Sequence, residues 1–160
     1  MTLNDSGAIT DGVTATMSAG RELADHGGIF GEVVAELRGP DGELKARSVT
    51  RNLITSVGDQ YYAGRAALPS SLPAQVTGFK LGTGSTAPAK SGAGAALVTY
   101  AAGKATTASA ITEVVLVTDT LADATSTAAN TISRALLSGI GSKGASDTLT
   151  VTWTHTLLGA

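Results

Sequence analysis

By residue type, His26 and His155 are the side chains best suited to carry a proton near neutral pH. They share no motif. His26 lies in a stretch of Gly, Ser, Thr and Asp, whereas His155 alternates with apolar residues close to the end of the chain. That second pattern points to a neutral imidazole hydrogen-bonded at the rim of a core. Gly82-Thr83-Gly84 has the glycines of a phosphate cradle, but such a loop needs Lys-Ser or Lys-Thr at a helix start, and Lys90 comes late. Gly141-Ser142-Lys143-Gly144 also sets a lysine among glycines, yet it opens onto a strand, so no helix dipole faces an anion there. Both stretches read as turns.

The carboxylates Asp41, Asp59, Asp119, Asp123 and Asp147 fall singly at turn or cap positions, where they accept backbone hydrogen bonds. None belongs to a cluster with metal-ligand spacing, and no Gly-x-Ser-x-Gly elbow is present. A glycosidase needs two carboxylates across a sugar and aromatic platforms to hold it, and aromatics are only 4% of this chain. There is no cysteine, which excludes a disulfide framework and thiolate metal sites. No catalytic, cofactor-binding or metal-ligating residue is therefore expected. The chain reads as a non-enzyme without a small-molecule substrate.

Composition gives the complementary view. Charged residues make up 15% of the 160 positions, against roughly 25% in ordinary soluble domains. Thr, Ser, Ala and Gly fill the difference, giving a surface that neighbours can cover at little desolvation cost. The net charge of −2 argues against a surface built to neutralise nucleic-acid phosphates. Met1 to Asp11 lacks the basic and apolar regions of a signal peptide, and the apolar run Val114 to Val117 is far short of a bilayer span. Neither nucleic acid nor membrane is expected as a partner.

The elements follow from periodicity. Residues 1–28 are polar, with a helix-compatible stretch at Met17 to Ala24, and read as an amino-terminal arm that orders against another subunit; residues 29–160 read as one β-sandwich domain. Ile29 to Arg38 alternates with the period of a half-exposed strand, Gly39-Pro40-Asp41-Gly42 reverses the chain, and residues 43–49 return as a hairpin. Val57, Tyr61 and Arg65, extended by Ile54 and Leu68, form a helical stripe; Ser56 and Asp59 have capping-box spacing, and Pro69 marks the end. Further β segments are expected at Thr77 to Gly82, Ala95 to Tyr100, Ile111 to Thr118 and Asn130 to Leu137. Ile111 to Thr118 has apolar residues on both faces, as a central strand requires, with Glu113 its one awkward member. In the last strand Leu149, Val151, Trp153, His155 and Leu157 point one way, and Thr148, Thr150, Thr152, Thr154 and Thr156 the other. The expected class is mainly β: an antiparallel β-sandwich with one short helix and an extended arm.

Four segments occur in a fixed order: Asn52-Leu53-Ile54-Thr55, then Leu81-Gly82-Thr83-Gly84-Ser85-Thr86-Ala87-Pro88, then Ile111-Thr112-Glu113-Val114, then Asp147-Thr148-Leu149-Thr150-Val151-Thr152-Trp153. In these the chain resembles small tailed-bacteriophage virion proteins over about residues 29–158. The resemblance implies a structural protein of the particle, without catalysis, assembled in the host cytoplasm. Its first implication is a decoration or cement protein on the exterior of the head. Its partners would then be the major capsid protein and copies of itself, in a homo-oligomer such as a trimer. A minor tail, baseplate or fibre component is the second expectation, and a host-surface carbohydrate-binding protein the third. The segment Thr118 to Ala129 departs from the pattern of the more usual relatives.

Overall fold

The structure, a computed structural model, describes residues 29–91, 110–119 and 126–157. The arm at residues 1–28, His26, Asp123 and the expected strand Ala95 to Tyr100 lie outside the described residues. Among the described residues six strands and one α-helix follow in the order β1 (Phe30–Arg38), β2 (Leu44–Ile54), α1 (Ser56–Ala67), β3 (Gly78–Gly82), β4 (Glu113–Val117), β5 (Thr131–Leu136) and β6 (Thr148–Thr156). A single 3-10 turn, Ala128–Asn130, leads into β5.

Among the described residues the fold is mainly β and antiparallel, with one helix, as the alternation implies. The strands form one six-stranded sheet in the order β3-β4-β5-β2-β1-β6. β2 has 11 residues; it pairs with β1 along most of its length and with β5 only through Leu53 and Ile54. One long strand thus carries the chain from one half of the sheet into the other, the device by which a sheet turns a corner. The curl brings Val33, Ala35 and Leu37 of β1 against Val114 of β4 and Ala135 of β5, with Ile111, Leu137 and Ile140 completing the core.

The β1–β2 hairpin turns where expected. Gly42 takes a φ of +84°, which glycine tolerates without a Cβ clash, while the Gly39 N–H donates to the Glu43 carbonyl at 2.9 Å. β2, however, runs on to Ile54 and does not stop at residue 49. Its inward positions Ala46, Ser48, Thr50 and Asn52 are small or polar, so hydropathy alone underestimates the strand. Ile54 accordingly ends the strand and does not belong to the helical stripe.

The helix start also shifts by one residue. Thr55, not Ser56, is the N-cap: its backbone is extended and its hydroxyl accepts from the Gly58 N–H at 3.0 Å. The same hydroxyl donates to the Thr131 carbonyl at 2.6 Å, so the cap also fastens α1 to β5. Val57, Tyr61 and Arg65 are half-buried, whereas the fully buried helical positions are Gly58 and Gly64. Helix and sheet therefore meet through a glycine contact and not through a large apolar stripe. Leu68 closes the helix, one residue before Pro69.

Candidate functional site

Two polar clusters are built into the sheet. The first gathers around His155 near the end of β6. Its Nε2 lies 2.7 Å from Trp153 Nε1 and 2.7 Å from Asn52 Nδ2. An indole nitrogen can only donate, so Nε2 accepts and the imidazole proton sits on Nδ1, where it is directed at the Tyr62 hydroxyl of α1. Asn52 also donates to Ser133 Oγ on β5 at 2.5 Å, and Ser133 in turn donates to the Leu53 carbonyl at 2.9 Å. Tyr62 and Trp153 each meet the imidazole edge to face.

Burial pushes the His155 pKa down from 6.5 to about 4, and burial together with the neighbouring Tyr61 raises Tyr62 to about 12. The imidazole is thus neutral, and both of its nitrogens are engaged by groups of this chain. A general base needs a free lone pair facing substrate, whereas this one holds Trp153 and Asn52. What the cluster does is join β6, β2, β5 and α1.

Its pH dependence has a definite sign. Below pH 6.5 the unfolded chain takes up a proton at His155 that the folded chain resists down to about pH 4. Stability is complete above about pH 6.5 and declines as pH falls towards 4. The loss is on the order of 1 to 2 kcal/mol once partial exposure is discounted. Urea midpoints measured from pH 7.5 to pH 4 should show this decline in the parent and a flatter profile in His155→Gln; parallel profiles would contradict it.

The second cluster explains Glu113. Its side chain is fully buried, and Oε2 receives Arg134 Nε at 2.8 Å and the Arg134 terminal nitrogen at 2.5 Å. Oε1 accepts the Gly84 N–H at 2.8 Å, and the Thr112 hydroxyl donates to the Gly84 carbonyl at 2.8 Å. The carboxylate therefore fixes the turn after β3 to β4 and β5, as a charge-assisted brace. Lys80, also buried, lies 3.4 Å from Asp119, just beyond β4.

The remaining candidate groups keep apart. Lys90 pairs with Asp59 at 2.6 Å on the surface, and its carbonyl accepts the Ser56 N–H. Asp41 accepts the Glu43 N–H inside the hairpin turn. Asp147 accepts from the Gly144 N–H and from Lys45, and these partners hold its carboxyl below the usual carboxylate range. Among the described residues no three His, Asp or Glu side chains converge as metal ligands. A cleft of about 390 Å³ lies by Ile29, Phe30, Asn52 and Lys90, and one of about 310 Å³ by Tyr61, Pro73 and Asn130. Neither contains His155 or Glu113.

The outer face of β2, β1 and β6 is a regular exposed surface. Glu36 lies 2.9 Å from Arg38 and 3.3 Å from Arg47, and Glu32 on the same side of β1 is exposed. Beside it runs the ladder of Thr148, Thr150, Thr152, Thr154 and Thr156, all exposed. On the opposite side of β6, Leu149, Val151 and Trp153 pack against the core but are only half-buried, and Trp153 stacks on Phe79 of β3 with ring centroids 5.6 Å apart. The sequence pattern gave the orientation of this strand, but not that its apolar face stays partly open.

Asn52, Tyr62, Ser133 and Arg134 were not separable from ordinary strand and helix positions in the sequence, because only the pairing of β2 with β5 and the docking of α1 bring them together. Comparison with protein-family models, curated proteins and solved structures finds no match.

Proposed function

We propose that this chain is a structural subunit of a tailed-bacteriophage particle, placed on the exterior of the head as a decoration or cement protein over the major capsid protein. The observation that carries it is the exposed β2–β1–β6 face, along whose margin runs an uncharged ladder of five exposed threonines. The threonine ladder can be covered by neighbours without stranding a charge.

The clustered polar groups support the same role. In the four segments that carry the resemblance, Glu113 braces Gly84, Leu81 pairs with Val114, and Asn52 ties β2 to Ser133 and His155. These residues spend their hydrogen bonds on holding strands together. A scaffold whose function is to present a surface has that need, and a catalyst would leave some of those groups facing a substrate.

The test is stoichiometry. In particles of the phage or prophage that encodes the chain, it should be present in many copies and should remain on tail-less heads. Scarce copies found only on tails would move the assignment to a tail component, and absence from purified particles would end it.

A further inference from the structure

Nε2 of His155 offers one in-plane lone pair, and two donors share it: Trp153 Nε1 and Asn52 Nδ2, each 2.7 Å away. The Asn52 amide is thus turned with its nitrogen toward the imidazole. Its oxygen is buried with no hydrogen-bond partner among the described residues, and it lies over Gly31, where an added Cβ would come within 2.7 Å of it. A buried acceptor without a donor is costly, and such an atom in a native fold asks for an explanation. Trp153 has the opposite constraint. Its indole nitrogen can only donate, and its ring stacks on Phe79 of β3 with centroids 5.6 Å apart. β3 and β6 are the two outermost strands of the sheet, and among the described residues no backbone pairing joins them. The ring pair therefore fastens one margin of the sheet to the other.

We propose that His155 and Asn52 form a proton-operated latch: a proton on Nε2 reverses the Asn52 amide and releases the Trp153–Phe79 closure between β6 and β3 while the sheet stays folded. A proton at Nε2 meets the Trp153 and Asn52 donors head-on, so neither contact survives it. Half a turn of the amide brings Oδ1 to Nε2–H, and the idle oxygen gains a charge-assisted bond. Ser133, which now accepts from this amide and donates to the Leu53 carbonyl, can redirect its hydroxyl to the same oxygen. The indole has no such remedy. N–H faces N–H, so the ring swings away from His155 and with it from Phe79. The groups around the imidazole favour the shut state at neutral pH. From α1 the titratable group in contact is Tyr62, with Tyr61 edge-on behind it; β2 and β5 offer the neutral Asn52 and Ser133, and β1 offers Gly31. No nearby carboxylate offsets the burial that keeps the ring uncharged down to about pH 4. The latch is a change within the native state, separate from the loss of global stability in acid, and it stands apart from the virion assignment.

Nuclear magnetic resonance of the full, nitrogen-15-labelled chain tests it, because the sequence holds a single tryptophan. Asn52→Asp identifies the Asn52 side-chain amide by removing its signal. As the parent is acidified from neutral pH, that amide and the Trp153 indole N–H should shift together with one midpoint near pH 4, while the backbone amides of β1 and β4 keep their native positions. In His155→Gln both shifts should be lost. Asn52→Asp sets a carboxylate beside the ring and should raise the indole midpoint by at least about one pH unit. An indole that moves only as the β1 and β4 signals vanish reports ordinary acid unfolding and overturns the proposal. So does an Asn52 amide that stays in place while the indole moves, a step that survives His155→Gln, or a midpoint unmoved in Asn52→Asp. The parent's two signals decide the matter even where a variant melts early.

Discussion

Glu113→Ala should destabilise the domain by about 3 to 5 kcal/mol, because it leaves Arg134 charged and buried beside an empty site. The substitution removes three contacts at once: two from the guanidinium and one from the Gly84 N–H, which loses its acceptor. Glu113→Gln tests charge separately from shape and should still fall well below the parent, since an amide cannot neutralise the guanidinium. The informative control is Glu113→Leu combined with Arg134→Met, which should recover much of the loss because a buried pair is often replaceable by apolar groups of similar volume. Urea unfolding of the four proteins checks the set. An alanine variant within about 1 kcal/mol of the parent would show that the brace contributes little.

Gly58→Ala should be of comparable size for a different reason. A Cβ at this position would lie 2.1 Å from the Ile132 carbonyl oxygen and 2.7 Å from Ile54 Cγ2. The first obstacle is the backbone at the second residue of β5 and cannot rotate away. Accommodation requires lifting α1 from the sheet, which also strains the Thr55 cap and the contact from Tyr62 to His155. Overpacking of this kind costs about 3 kcal/mol or more, even though alanine is the better helix former. Thermal melting together with near-ultraviolet circular dichroism of the tyrosines checks it; an unchanged melting temperature would place the helix farther from β5 than described.

The parts of this structure that sequence disclosed are those set by period. β1 and β6 alternate cleanly, and β4 is apolar on both faces, so their orientation and centrality could be read directly. What stayed hidden depended on long-range pairing. The carboxylate of Glu113 is an anomaly in an apolar strand until β5 sets Arg134 two strand positions from its partner Leu136. The continuation of β2 to Ile54 was concealed because its inward residues are Ser48, Thr50 and Asn52, which no hydropathy pattern marks as strand. The curl of the sheet rests on two residue pairs, Leu53 with Arg134 and Ile54 with Ser133. Hydropathy can place a strand in a core but cannot say which neighbour it bonds. The His155 cluster is intermediate: alternation put the imidazole at the core's rim, while its partners Tyr62 and Asn52 come from elements whose docking the sequence does not specify.

An account in which exposed threonine marks a surface meant for contact is tested most directly by a cryo-electron microscopy reconstruction of the intact particle. It should find this chain repeated over the outside of the shell, with the threonine-bearing side of β6 or the adjoining faces of β1 and β2 seated against protein. A particle whose shell and tail are fully accounted for by other chains, or one in which that surface faces bare solvent in every copy, would contradict it.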